Sequence, residues 1–197
     1  MQKGSKRIAM INRFHKYLEI MDYKLDGMFK KQAPFIKCKK GCAYCCKEGE
    51  YPLSELEYVN LMLYYNQLPS EIKGIINKNV RAVLDKNRKT MYECPFLINN
   101  ECSVYPARPI ICRTFGLIYY LKDGRKKMPF CANIDLNYSD VYDKESSTIT
   151  KCTPDGTEPI AFNVHRRVLR SKEMEDTFDI FFGEDRALIE WLKEEDF

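Results

Sequence analysis

Histidine is scarce in this chain, with two residues in 197. His15 falls inside a helical pattern and His165 among arginines, so no Ser/His/Asp set can be assembled for nucleophilic catalysis. Neither histidine is a candidate metal ligand. Long apolar runs are missing too: no stretch reaches the ~18 residues that mark a membrane-spanning helix. None of the nine glycines forms a phosphate-binding motif. Charge of one sign is absent as well. Thirty-two basic residues face 28 acidic ones, and a net charge of +4 is too small to argue for nucleic acid without a concentrated basic face. The short run Arg125-Lys126-Lys127 is expected to be solvated surface. After a basic start, the N-terminal stretch shows helical periodicity where a signal peptide would have an unbroken apolar core. The cytoplasm is the expected compartment. There thiols stay reduced, which removes disulfides as the explanation for the feature that remains.

That feature is cysteine, of which there are nine. Eight fall into two groups. Cys38-x3-Cys42-x2-Cys45-Cys46 is dense; Cys94, Cys102, Cys112 and Cys131 are looser and lie among Pro95, Pro106 and Pro109. Thiolate is a soft ligand suited to zinc, iron and iron–sulfur clusters. The Cys42-x2-Cys45 spacing lets two sulfurs of one chain reach a single ion. Adjacent Cys45 and Cys46 would point to opposite sides in extended backbone and serve different ions or different corners of a cluster. In a helix, Cys46 would instead join Cys42. Two tetrahedral sites, a bridged multinuclear site, or one four-cysteine cluster with spare thiols all remain open. Arg108 and Arg113 flank Cys112 and could offset thiolate charge, or form surface ion pairs. Cys152 stands apart and is expected to be a free or buried thiol.

Around the cysteines the chain reads as mainly α with a short β-hairpin, a small metal-stabilised domain in three stretches. Residues 1–33 form an amphipathic helix with Ile8, Ile11, Phe14, Leu18, Met21, Leu25 and Met28 on one face. Residues 34–135 form the cysteine-cluster domain. Within it, Ser54 and Glu57 have capping-box spacing ahead of a helix that stops before Pro69. Ser70 can cap the next helix, with Ile72, Ile75, Ile76, Val80, Val83 and Leu84 as its buried side. Proline-broken loops follow, then a hairpin turning at Asp123-Gly124 between strands over 114–121 and 126–131. Residues 136–197 are a C-terminal extension packed on the same domain. It begins as a polar loop to about Glu158 and ends in helices near 160–170 and 185–193.

The ordered set Cys38-x3-Cys42-x2-Cys45-Cys46, Cys94-Pro-Phe-Leu, Cys102-x-Val-Tyr, Arg108-Pro109-x2-Cys112-Arg113 and Cys131 resembles the cysteine-cluster proteins described as zinc- or iron-chelating domains, the YkgJ type. The resemblance covers about residues 38–131. It implies metal binding by Cys38, Cys42, Cys45, Cys46, Cys94, Cys102, Cys112 and Cys131, with zinc or iron, as ions or an iron–sulfur cluster, as cofactor. It implies no reaction. A flagellin lysine methylase carries a related pattern with an iron–sulfur cluster, which puts an iron–sulfur-dependent protein lysine methylase among the alternatives. A structural zinc module that engages a protein partner is another. The triad Cys38, Cys42 and Cys45 also has the spacing of radical S-adenosylmethionine enzymes, but the alternating strands and helices of their barrel are missing.

Overall fold

The computed structural model describes residues 2–39, 41–86, 91–195 and 197. Among these residues it is mainly helical, with four separate two-stranded pairs in place of a continuous sheet. Helix α1 (Gln2–Lys31) buries Ile11, Phe14, Tyr17, Leu18, Met21 and Leu25. Its predicted stripe overreaches at the N-terminal end: Ile8 is 66% exposed. After a 3₁₀ turn at Ala33–Phe35, the dense cysteine group enters a one-turn helix, α2 (Tyr44–Lys47).

Strand β1 (Pro52–Ser54) leads directly into α3 (Glu55–Asn66), and the capping box is formed as expected. The Ser54 hydroxyl accepts from the Glu57 N–H, and the Glu57 carboxylate accepts from the Ser54 N–H at 2.9 Å. Helix α4 (Ser70–Asp85) differs from expectation in two details. Pro69 occupies the N-cap position and Ser70 is the first helical residue, so no side chain caps this end. Ile76 and Val80 are buried, while Ile75 is 43% exposed.

The proline-rich stretch holds a miniature hairpin, β2 (Leu97–Ile98) with β3 (Glu101–Cys102), followed by α5 (Ile110–Thr114). The predicted hairpin about Asp123-Gly124 exists, but only as two-residue strands, β4 (Tyr119–Tyr120) and β5 (Lys126–Lys127). Cys131 lies beyond it, in a 3₁₀ turn at Phe130–Ile134. The stretch expected as a plain polar loop contains one more pair, β6 (Tyr142–Asp143) with β7 (Thr148–Ile149).

Towards the C-terminus come α6 (Arg166–Leu169), α7 (Lys172–Phe178), β8 (Asp185–Ala187) and α8 (Leu188–Leu192). The helix expected over 185–193 thus starts with a strand. Residues 185–187 pair antiparallel with β1, joining segments more than 130 residues apart, in the register Leu53↔Arg186.

Three apolar clusters fill the interior. One joins α3, α4 and α8 around Leu61, Ile76, Val80 and Leu192. A second lies between α1 and Ile110, Leu117, Ile180 and Phe182. The smallest contains Phe35, Ile118, Tyr138, Val141 and Ala161. Each anchors a cysteine-bearing segment. Cys94 and Cys102 pack on the first, Ile110 of the second begins the turn that carries Cys112, and Phe35 of the third precedes Cys38. Among the described residues no helix is long and apolar enough to cross a membrane.

Candidate metal centre

Backbone contacts bring the two cysteine groups together. The Cys94 N–H donates to the Cys46 carbonyl at 2.7 Å, and a β-bridge joins Gly49 to Tyr92. The Tyr51 hydroxyl ties the Cys45 carbonyl (3.2 Å) to that of Tyr92 (3.3 Å). The Tyr44 ring of α2 stacks on Phe130, the residue before Cys131, with centroids 6.0 Å apart. Helical backbone at α2 removes the extended-chain alternative for the adjacent pair: the Cys45 and Cys46 sulfurs lie 3.9 Å apart.

Electrostatics report the same convergence. Cys38 senses Cys42 and Cys45; Cys131 senses Cys38 and Cys45. Cys46 senses Cys45, Cys94 and Cys112, whereas Cys112 senses Cys94, Cys102 and Cys45. All eight predicted positions therefore share one neighbourhood, with Cys45 at its middle. Cys152, like Cys38, is exposed. None of the nine is in a disulfide.

Burial pushes the Cys94 thiol up to about 12 and the Cys131 thiol up to about 11. It holds Cys112 well above, and Cys38 and Cys102 above, the ordinary thiol value. Cys45 is the exception. The hydrogen bond from Cys46 lowers it, and the same bond together with burial raises Cys46. Backbone N–H groups oppose the burial effect. Those of Phe96, Val104 and Asn137 point at the sulfurs of Cys94, Cys102 and Cys131 and favour thiolate. Two of them come from the second residue after the cysteine, a local loop geometry that supplies a donor to sulfur without any side chain.

Residues outside the cysteine pattern complete the surroundings. Asn137 is fully buried, and its side-chain amide donates to the Cys38 sulfur at 3.3 Å and to the Gly116 carbonyl at 3.4 Å. The Asn137 oxygen accepts from the Lys37 N–H at 2.8 Å. Gly116 sits at φ +102°, and a Cβ there would come within 3.0 Å of the Asn137 amide and 4.0 Å of the Cys38 sulfur. Glu57 does more than cap α3. One carboxylate oxygen accepts from the Ile110 N–H at 2.7 Å, at the start of the turn bearing Cys112. The other accepts from Arg170 at 3.0 Å. No sequence signal marks Asn137 or Gly116, and the local spacing that identified Glu57 as a cap is silent about its long-range partners.

The two arginines divide. Arg108 stacks over the Tyr105 ring at 4.0 Å, and its charge draws the Cys102 thiol downward against burial. Arg113 is buried. It pairs with Asp22 of α1 and donates to the carbonyls of Pro106 (2.7 Å) and Arg108 (2.9 Å), so it fixes the loop rather than forming a surface pair. His15 is bonded to Asn60 at 2.7 Å, and His165 accepts from the Arg167 N–H.

The donor set suits a thiophilic cation. Four sulfurs each ~2.3 Å from a tetrahedral ion stand ~3.8 Å from one another, and the Cys45–Cys46 separation of 3.9 Å is close to that edge. Among the described residues no three Cys, His, Asp or Glu side chains are drawn in as tightly as one coordination sphere requires. Residues 37–132 match the family model CxxCxxCC, described as "Putative zinc- or iron-chelating domain". No curated protein and no solved structure matches the chain.

Proposed function

We propose that this chain, whose residues 37–132 match the CxxCxxCC family model, binds zinc or iron through Cys38, Cys42, Cys45, Cys46, Cys94, Cys102, Cys112 and Cys131. The observation that carries the reading is the gathering of these thiols from two distant stretches, with N–H donors aimed at three of the sulfurs. Buried thiols with N–H donors form a poor interior on their own and a good one once a cation replaces their protons. The bound metal supplies charge neutralisation and a cross-link between segments. With iron it also supplies redox capacity. Asn137 and the backbone amides of Phe96, Val104 and Asn137 orient the sulfurs, Arg108 offsets part of their charge, and Glu57 and Arg113 hold the Cys112 turn.

The test is elemental analysis, with a sulfide assay and an absorption spectrum, on protein purified without oxygen. Zinc, or iron in thiolate coordination, in at least equimolar amount supports the reading; metal-free protein that takes up neither ion ends it. Zinc alone would favour a structural module acting in the cytoplasm through a protein partner. Iron with sulfide, seen as broad visible absorption, would favour an iron–sulfur-dependent enzyme such as a protein lysine methylase.

A further inference from the structure

Helix α1 carries more apolar surface than the core covers. From Lys6 to Ala9 each of its side chains is exposed, and among the described residues its apolar stripe becomes buried only at Ile11. Most helical stability in a protein comes from packing an apolar face, not from propensity, and here that face has no neighbour within the chain.

Between this stretch and α3 lies a groove of about 760 Å³. Buried Ile11 and half-buried Met62 line it, together with Ile8 and Leu63, which are 66% and 44% exposed. A small-molecule pocket encloses most of its ligand. Walls as exposed as these instead suit a helix laid along the groove, with its apolar stripe seated between α1 and α3.

The charges point to which helix. Arg7 of α1 and Glu195, which follows α8, line the same groove, yet among the described residues Arg7 forms no ion pair. A helix that carries an exposed apolar residue next to a cation matches a groove with an apolar lining and a carboxylate. The Arg7-Ile8 step of α1 is such a helix.

We infer that this groove is an interface between two copies of the chain, with α1 of each copy lying along the groove of the other. The contact is isologous, so every interaction occurs twice. Ile8 of one copy packs on the partner's Met62 and Leu63, and Arg7 pairs with the partner's Glu195. The apolar seats supply the affinity. The exposed ion pairs at the rim add little energy and fix the orientation.

The test is sedimentation equilibrium on the full chain as purified, from low micromolar to millimolar concentration. A thiol reductant is kept present so that cross-linking through exposed Cys38 or Cys152 cannot imitate association. A reversible dimer should form. Ile8→Asp empties both seats at once and should weaken association by about 100-fold or more. Since Ile8 is already exposed, this variant should melt with wild type. Leu63→Glu gives the same readout from α3. Arg7→Glu should weaken the dimer by about 10-fold, and combining it with Glu195→Arg should restore it. A monomer over the whole range overturns the proposal. So does a dimer that none of these substitutions weakens, because its contact then lies elsewhere on the molecule. A monomer that binds the apolar dye anilinonaphthalene sulfonate, and loses it on Ile8→Asp, would assign the groove to a small apolar ligand and equally overturn the proposal.

Discussion

Replacing Glu57 with glutamine should destabilise the protein by about 3 kcal/mol, far more than an isosteric change at an ordinary helix N-terminus. The carboxylate is 2% exposed and accepts from four donors: the Ile110 N–H, the Ser54 N–H and hydroxyl, and the Arg170 guanidinium. A glutamine amide offers one oxygen and turns an NH2 group towards the remaining donors. Whichever way it sits, at least one buried donor loses its acceptor, at about 1–3 kcal/mol. Removing one partner of a buried ion pair costs about 3–5 kcal/mol. Arg170 keeps Asp185 at 2.8 Å, on a carboxylate that is 42% exposed, so the lower end of that range applies. For a chain of this size ~1 kcal/mol moves the melting temperature by roughly 2–4 °C, so the variant should melt some 6–12 °C below wild type. The metal centre gives a second readout. The Ile110 contact fixes the turn carrying Cys112, so zinc should be lost faster to a chelator from Glu57→Gln than from wild type at a temperature where both are folded. A Glu57→Gln protein melting within about 2 °C of wild type, with unchanged metal release, would refute the argument. It would mean that solvent already reaches the cluster and substitutes for the carboxylate.

Stripping the metal with a chelator, or replacing Cys42 or Cys112 with serine, should lower the melting temperature sharply, because structural zinc contributes about 10 kcal/mol or more to folding; an unchanged melt contradicts the cross-link. Asn137→Ala leaves the Lys37 N–H without its acceptor and the Cys38 sulfur without its donor. It should weaken metal retention by about 10–100-fold in chelator competition. Gly116→Ala places a Cβ on that same amide at a positive φ, at a cost of about 1–3 kcal/mol measured by chemical denaturation. Cys152→Ser should leave metal stoichiometry unaltered, since that residue lies outside both cysteine groups in the sequence.

Much of the framework was legible from local signals. The α1 stripe, the Ser54/Glu57 cap, the stop before Pro69 and the Asp123-Gly124 turn each depend on residues within about one helical turn of one another, and each is present. What was not legible depends on partners far along the chain. Residues 185–187 look helical because Leu188, Ile189 and Leu192 continue the pattern, yet pairing with β1 holds them extended. Ile8 has helical spacing but lies near the helix end, where it is left exposed. For the candidate site, the eight cysteines were recognisable from residue type and spacing. Asn137 was not: a buried amide serving a sulfur 99 residues away leaves no periodicity and no motif. Arg113 was visible as a partner of the cysteine loop, but only Asp22 on α1, 91 residues upstream, shows that its role is to hold that loop to the helix.

The position of the thiols also bears on why a chain of this length would depend on a cation. Among the described residues the strands are two or three residues long, and none of the four pairs shares a strand with another. An isolated pair of that kind is marginal in water. The segments between α4 and α6 therefore rely on turns, on scattered buried side chains and on the few hydrogen bonds that reach α1 and α3. Cys94, Cys102, Cys112 and Cys131 are distributed through this weakly structured stretch, one to each turn or miniature strand, whereas Cys38, Cys42, Cys45 and Cys46 lie close together in sequence, the last two in α2. Ions shared between the two would fasten each irregular segment to one fixed point. On this argument the metal does for residues 94–131 what a continuous sheet does elsewhere. Its removal should raise backbone hydrogen exchange there first, while α3 and α4, packed around Leu61 and Val80, retain their protection.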